Sequence, residues 1–494
     1  MRRTTYVYLL LSCMLLAGCE KPPLVVYPGD NPVPSPSTDP VPAPGTVTNA
    51  APNVLAGADV RTEFPRPAAL AGVATDDGPT ASLAIAWTVV SGPGTVTFQN
   101  ANAADTTATF PAVGAYELQL SASDGQFTSR DFIIVNVTPA IYPGPDLSEA
   151  DPDRGWLRAS PAEVDLEPAP LAEAQAYAER AGGSGLISRY GRIVHSWGAI
   201  DQRFDVKSTT KSIGALALAF ALEDNLVRID ERASTYLPTI GRPPATNDAT
   251  QAESITLLQL ATHTAGFEKP GGYGQLVDPP GTAWRYSDGA LNWLADTLTT
   301  VYRQDLEQLF KTRVYAVLGV NERDDIQWRK TVDGLRPEPR ALTVEHREFA
   351  AGMVANVNSL ARVGLLYLRR GEWANAQRVF DASFVDLVRT PRTENATLAV
   401  RDAANYPQAN LRYGLLWWTN ATGALPNVPR DAYWAWGLGD SLIVVIPSLD
   451  LVIARAGPIQ REASDGRVFG DSDWNADYAV LAPFLDPIVR AVRQ

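Results

Sequence analysis

The pattern of apolar and polar positions divides the chain into regimes. Tyr6 to Leu16 is a short apolar run behind Arg2 and Arg3, too short to span a bilayer as a mature helix. Residues 21–44 hold nine prolines and no apolar period, which predicts an extended tether without a core. Between residues 51 and 139 the runs shorten and alternate. Leu83 to Val90, Tyr116 to Ala122 and Phe132 to Val137 read as strands. Gly-rich and Asp-rich turns at 76–79, 91–94 and 123–125 separate them. This predicts an antiparallel β-sandwich with Trp87 in its core. Residues 140–159, rich in Pro, Asp and Gly, read as a second linker.

From residue 160 to 494 the period changes again. Leu171 to Ala181 reads as an Ala-rich helix stopped by Gly182-Gly183, and 185–190 and 192–197 as two strands meeting near Gly191. Ile213 to Leu222 is apolar on nearly every side, the mark of a buried helix. Asn225 stands where that helix should end in a left-handed residue. Ala350 to Arg370 reads as a long helix, Ser441 to Arg455 as a hairpin turned at 447–450, and 477–492 as a last helix. The expectation is a mixed α/β domain with a central antiparallel sheet and a helical subdomain, behind an all-β sandwich.

Composition narrows the partners. A chain of 494 residues with 45% hydrophobic and 20% charged content is globular and long enough for two or three domains. Its net charge of −13 excludes nucleic acid as an expected partner, because phosphate binding needs a basic patch. The two cysteines, Cys13 and Cys19, both lie at the N-terminus. Leu16-Ala17-Gly18-Cys19 resembles the bacterial lipobox. That resemblance implies a signal peptide over 1–18, a lipid anchor on Cys19 and, with Glu20 following, an outer-membrane address. An ordinary secretory signal is the alternative. The tether, taken as 19–50, could then hold the next domain roughly 90 Å from a membrane.

The candidate chemistry sits at Ser208-Thr209-Thr210-Lys211, just before the buried helix. Positions i and i+3 share a helix face, so the Ser208 hydroxyl and the Lys211 amine can meet in one pocket. A serine hydroxyl needs a base to become a nucleophile. A lysine lowered by burial can be that base. The chain has only six lysines, and this one opens its most apolar helix. Of the three histidines, none follows a nucleophile elbow. His195 lies in a strand, and His346 is expected to be solvated. So few histidines, with no mature cysteine pair, argue against zinc, and no cofactor is expected.

Two resemblances extend this reading. Residues 51–139 resemble the PKD-type immunoglobulin-like repeats, through Ala56-Gly57, the Trp87 strand with Ser91-Gly92-Pro93-Gly94, and Ala108 through Tyr116 to Ser123-Asp124-Gly125. They imply spacing or adhesion and no chemistry; Asp76, Asp77 and Asp124 are expected as turn residues, with calcium contact as the alternative. Residues 160–494 resemble the serine β-lactamase and penicillin-recognising superfamily, in its class C-like, family VIII esterase and 6-aminohexanoate-dimer hydrolase branch. The motifs are the S-x-x-K at Ser208, Leu257-Leu258-Gln259-Leu260-Ala261-Thr262-His263-Thr264-Ala265-Gly266, and Pro280-Gly281-Thr282-Ala283-Trp284-Arg285-Tyr286-Ser287-Asp288.

The second resemblance implies Tyr286 as a further catalytic group and no role for His263. The third superfamily motif, K-T-G, is replaced by Ala435-Trp436-Gly437, which puts β-lactam binding in doubt. The expected oxyanion donors are the backbone N–H groups of Ser208 and Leu438. Asp288, Trp284, Trp436 and Gly437 are expected to bind substrate, and Trp417, Trp418 and Trp434 to help wall an aromatic cleft. With a carboxylate at Asp288, Lys211 is expected to be a cation and Tyr286 the general base; neutral Lys211 as base is the alternative. The expected function is a serine hydrolase of small esters or amides at the cell envelope, working through an acyl-enzyme. The alternative is a cell-wall recognition protein without turnover. Oligomeric state is left open.

Overall fold

The computed structural model describes residues 49–78, 83–146, 151–269, 273–330, 344–459, 469–471 and 475–493. The expected leader, Cys19 and nearly all of the expected tether lie outside these residues.

The N-terminal strands form the expected sandwich. One sheet runs Val60–Glu63, Thr128–Thr138, Gly114–Ser123, Ala84–Ser91, and a three-stranded sheet packs with it. Period-two burial along Gly114–Ser123 places Tyr116, Leu118, Leu120 and Ala122 inside, against Trp87, Ile133 and Val135. One pairing departs from the antiparallel expectation: Val60–Glu63 runs parallel to Thr128–Thr138. Asp124 is a turn residue, its Oδ1 accepting the N–H groups of Gln126 and Phe127 at 2.7 and 2.6 Å.

The C-terminal domain is built on a seven-stranded sheet. Its strands in chain order are β1 (Leu157–Arg158), β2 (Ser184–Arg189), β3 (Arg192–Trp197), β4 (Trp418–Thr419), β5 (Tyr433–Gly437), β6 (Ser441–Ile446) and β7 (Leu451–Ala456). The spatial order is β1-β3-β2-β7-β6-β5-β4. All pairs are antiparallel except β1 with β3 at the edge. Both faces are covered, so β6 and β7 are largely apolar and buried along their whole length. On one face α1 (Pro168–Glu179) packs with the C-terminal helix Ala482–Arg490. On the other lie α2 (Thr209–Glu223), α3 (Asp288–Tyr302) and α4 (Val357–Leu368). Asn225 has φ 54°, the left-handed residue expected after α2.

Three expectations are corrected. Residues 140–159 are not a free linker. Trp156 is 4% exposed in the domain core, and Arg154 bridges Asp146 and Asp325 at 2.7 and 3.3 Å. A Pro- and Gly-rich composition marks irregular backbone, and here that backbone is packed. The stretch read as one helix from 350 begins instead with the strand Met353–Ala355; the helix starts only after Asn356, whose side chain accepts from Ser359 N–H. His346 is 6% exposed, not solvated, and its Nδ1 pairs with Asp296 Oδ1.

Candidate active site

The site forms where α2 begins. Lys207 takes a left-handed φ of 50°, which turns the chain so that Ser208 becomes the N-cap of α2. The polar residues of the first turns then tie the helix to distant segments. Thr209 Oγ1 donates to Ser441 C=O at 2.7 Å. Thr210 Oγ1 accepts Met353 N–H at 2.9 Å, and Ser212 Oγ donates to Leu416 C=O at 2.6 Å. Ser208 alone of these four hydroxyl residues is only half-buried; the other three are buried.

Lys211, 2% exposed, turns its amine back along the helix. Nζ donates to Asp288 Oδ1 at 2.7 Å, to Ala350 C=O at 2.6 Å and to Ser208 Oγ at 2.9 Å. Two strong acceptors therefore hold two N–H bonds, and the third tetrahedral position points at Ser208. As an ammonium the lysine donates there; as a neutral amine it offers a lone pair to the serine proton. Burial pushes the Lys211 pKa below its ordinary value, while the Asp288 carboxylate pulls upward.

The Tyr286-Ser287-Asp288 stretch divides its work. Ser287 is the N-cap of α3, accepting Ala290 N–H at 3.1 Å. Asp288 is the first helical residue, where the helix dipole favours its charge. Tyr286 is buried, and its hydroxyl and that of Ser208 are hydrogen-bonded. Burial and then the Asp288 charge raise the Tyr286 pKa; the serine hydrogen bond opposes them. Tyr286 therefore rests as a neutral phenol. Behind it, Tyr406 stacks at 4.8 Å with 12° between planes, and the His263 ring lies 4.5 Å away. His263 accepts Ser287 N–H on Nδ1 at 3.2 Å. Burial, then the charges of Lys211 and Lys269, hold its pKa well below normal, so it is a neutral wall of the tyrosine pocket.

On the other side β5 lies flush with the start of α2. A Cβ at Gly437 would fall 2.2 Å from Val206 C=O and 3.0 Å from Thr209 N, so only glycine lets the strand come this close. Leu438 follows at the strand's end and is half-buried. Among the described residues neither the Ser208 nor the Leu438 N–H has an acceptor within the chain. The pair is thus available for an oxyanion.

The aromatic cleft is corrected. Trp284, Trp417, Trp418, Trp434 and Trp436 are each at most 2% exposed. Trp436 Nε1 donates to Asp440 Oδ1 at 2.6 Å, and its ring packs on Trp418 and Tyr478. Trp284 packs on His263, Tyr406 and Tyr413. Of these rings Trp284 packs against Tyr286, and all five are core side chains instead of walls of a cleft. Strand alternation explains Trp436: its neighbour Ala435 faces the α2 side, so it faces the opposite core.

Lys269 was missed. Its ammonium lies 4.8 Å from the Tyr286 ring centroid and donates to Tyr406 Oη at 2.7 Å. The scarcity of lysines was the signal that could have found it.

A family model described as Beta-lactamase matches residues 171–465. The chain belongs to the beta-lactamase family. A second model, of a PKD domain, matches residues 56–137. The D-alanyl-D-alanine-carboxypeptidase/endopeptidase AmpH of Escherichia coli (strain K12) is 28% identical over 145 residues, 25% of this chain and 37% of that protein. This beta-lactamase-family chain therefore matches about a third of the length of that relative. A crystal structure assigned as a beta-lactamase from Bacteroides dorei DSM 17855 is 15% identical, with TM-score 0.51 over 67% of this chain and 100% of that one. A family VIII carboxylesterase is 16% identical, with TM-score 0.46 over 65% of this chain and 98% of that one.

Proposed function

We propose that this beta-lactamase-family protein is a serine hydrolase that cleaves small esters or amides through an acyl-enzyme. The observation that carries the reading is the 2.9 Å contact between Lys211 Nζ and Ser208 Oγ, with Tyr286 on the same hydroxyl.

Lys211, in its neutral form, takes the Ser208 proton as Oγ bonds to the substrate carbonyl carbon. The N–H groups of Ser208 and Leu438 hold the oxyanion. The bond to the leaving group breaks, and the proton passes from Lys211 through Tyr286 to the departing oxygen or nitrogen. Water then adds to the acyl carbon, its proton returning by the same route, and Ser208 leaves as the hydroxyl. This assigns the first proton to Lys211, the alternative in the sequence reading. Tyr286 is raised by burial and Asp288, so a resting phenolate is disfavoured.

The absence of a cation at Ala435 supports esters and simple amides over β-lactams. The match to AmpH makes D-alanyl peptides one arm of the substrate panel. The lipobox-like Leu16-Ala17-Gly18-Cys19 supports a lipid-anchored place at the cell envelope.

The test is a fluorophosphonate probe with turnover of 4-nitrophenyl esters, D-alanyl amides and nitrocefin. Labelling and ester turnover in wild type, both lost in Ser208→Ala, are expected. Equal labelling of the two proteins would remove the reading.

A further inference from the structure

Arg455, near the end of β7, is 0% exposed. Its neighbours Ala454 and Ala456 lie in the core on the α2 side, so strand alternation sends its side chain to the opposite face of the sheet. There the guanidinium joins two separate turns through backbone carbonyls. Nη1 donates to Gly439 C=O and, at 3.3 Å, to Asp440 C=O. Nη2 donates to Gly182 C=O at 2.8 Å and to Ala181 C=O at 3.3 Å. Burial lowers its pKa to about 10, with Asp440 pulling upward, so the group is charged at neutral pH. Burying a charge is costly, and an apolar side chain of similar size would fill the space with less loss. What the guanidinium adds is direction: a planar fork that fixes two turns against each other.

One of those turns belongs to the reaction. Leu438, Gly439 and Asp440 form the three-residue connection from β5 to β6, and Leu438 carries the N–H assigned to the oxyanion. Gly439 and Asp440 both take left-handed φ, 73° and 53°, a conformation that a non-glycine residue keeps only when its surroundings hold it. The Asp440 carboxylate is held as well: Oδ1 accepts Trp436 Nε1 at 2.6 Å and Oδ2 accepts Gly470 N–H at 2.7 Å. On the α2 side, Thr209 Oγ1 fixes the next residue, Ser441, through its C=O. The other turn, Ala181-Gly182, follows α1 and touches no residue of the Ser208 site.

We propose that Arg455 is a positioning residue of this enzyme: it meets no substrate, and it holds the β5–β6 turn so that the Leu438 N–H reaches the oxyanion. The inference rests on the serine-hydrolase reading above and extends it to a side chain on the far face of the sheet.

The test compares 4-nitrophenyl butyrate with its thiono analogue, in which C=S replaces C=O. Sulfur is larger than oxygen and a weaker hydrogen-bond acceptor, so a fixed oxyanion donor discriminates against it. Wild type is expected to favour the oxygen ester in kcat/KM by about 10²-fold beyond the ratio for alkaline hydrolysis, the range for one such donor. Arg455→Met should lose about tenfold or more of that margin. Arg455→Lys keeps a charge in the same space but no fork to bridge both turns, and should lose part of the margin. A general loss of Ser208 reactivity, or of folded protein, slows both esters alike and leaves the ratio in place. Where circular dichroism shows Arg455→Met unfolded, the ratio of Arg455→Lys decides alone. A wild-type ratio in a folded Arg455 variant overturns the proposal and leaves the hydrolase reading intact. A wild type with no margin for the oxygen ester also overturns it, since the Leu438 N–H then holds no oxyanion. If wild type turns over neither ester, the hydrolase reading itself fails and the positioning role falls with it.

Discussion

Lys211 Nζ and Asp288 Oδ1 stand 2.7 Å apart, joining the first turn of α2 to the first residue of α3. The pair sets the protonation of the base. Asp288 pulls the Lys211 pKa upward against burial. If the neutral amine is the working form, kcat/KM rises with pH through the Lys211 pKa. Asp288→Asn removes the upward pull, so that limb moves to lower pH, by about 1–2 units for a contact this close. A pH profile of kcat/KM on one ester measures it. A limb that stays in place would assign the titration to another group.

Tyr286 is argued to deliver the proton to the leaving group. That step matters little for 4-nitrophenolate, which leaves unprotonated, and much for an amine. Tyr286→Phe should lose about 10²–10⁴ in kcat on amides, the range for a general acid, and far less on 4-nitrophenyl esters. Equal losses on both substrates would return the first proton transfer to the tyrosine.

Gly437→Ala tests the approach of β5 to the nucleophile. The added Cβ would meet Val206 C=O at 2.2 Å, and a backbone atom cannot swing aside. The strand must retreat, carrying the Leu438 N–H away from the oxyanion. Loss of one such donor costs about 10²–10³ in kcat. Circular dichroism and the melting temperature separate this from unfolding.

Glu307 gives the fold a pH dependence of its own. Burial pushes its carboxyl from 4.5 up to about 7, against the pull of Arg347 and the N–H of Trp328. Asp305, Lys311 and Tyr315 also face it. A carboxyl raised on folding stabilises fully below its unfolded value, and that contribution is lost as pH rises through about 7. Wild type should thus lose up to about 3 kcal/mol relative to Glu307→Gln between pH 5 and 8. Urea unfolding of both proteins at the two pH values measures it.

Much of this site was legible in the sequence because its chemistry is local. Ser208 and Lys211 are one helical turn apart, and Tyr286 and Asp288 flank the cap of the next helix. The strands of the sandwich were legible because their alternation is regular and one face is buried. What escaped depends on partners far along the chain. Trp284 and Trp436 lie beside the motifs in sequence, yet neither helix nor strand position fixes the side on which a ring finds its packing. Lys269 carries no pattern of its own and gains meaning only from Tyr406, 137 residues later. Asp146 and Arg154 looked like linker residues because a short irregular segment carries no period to show that it is buried.

The hydrogen bonds of Thr209, Thr210 and Ser212 span 232, 143 and 204 residues of chain. Contacts of that separation form late, after the loop entropy has been overcome. The helix itself can form early, as an apolar segment collapsing on its neighbours. Its serine becomes competent only when the segments at Met353, Leu416 and Ser441 have closed around it. In refolding, recovered turnover should trail the helical signal, so an incompletely folded chain carries no loose nucleophile.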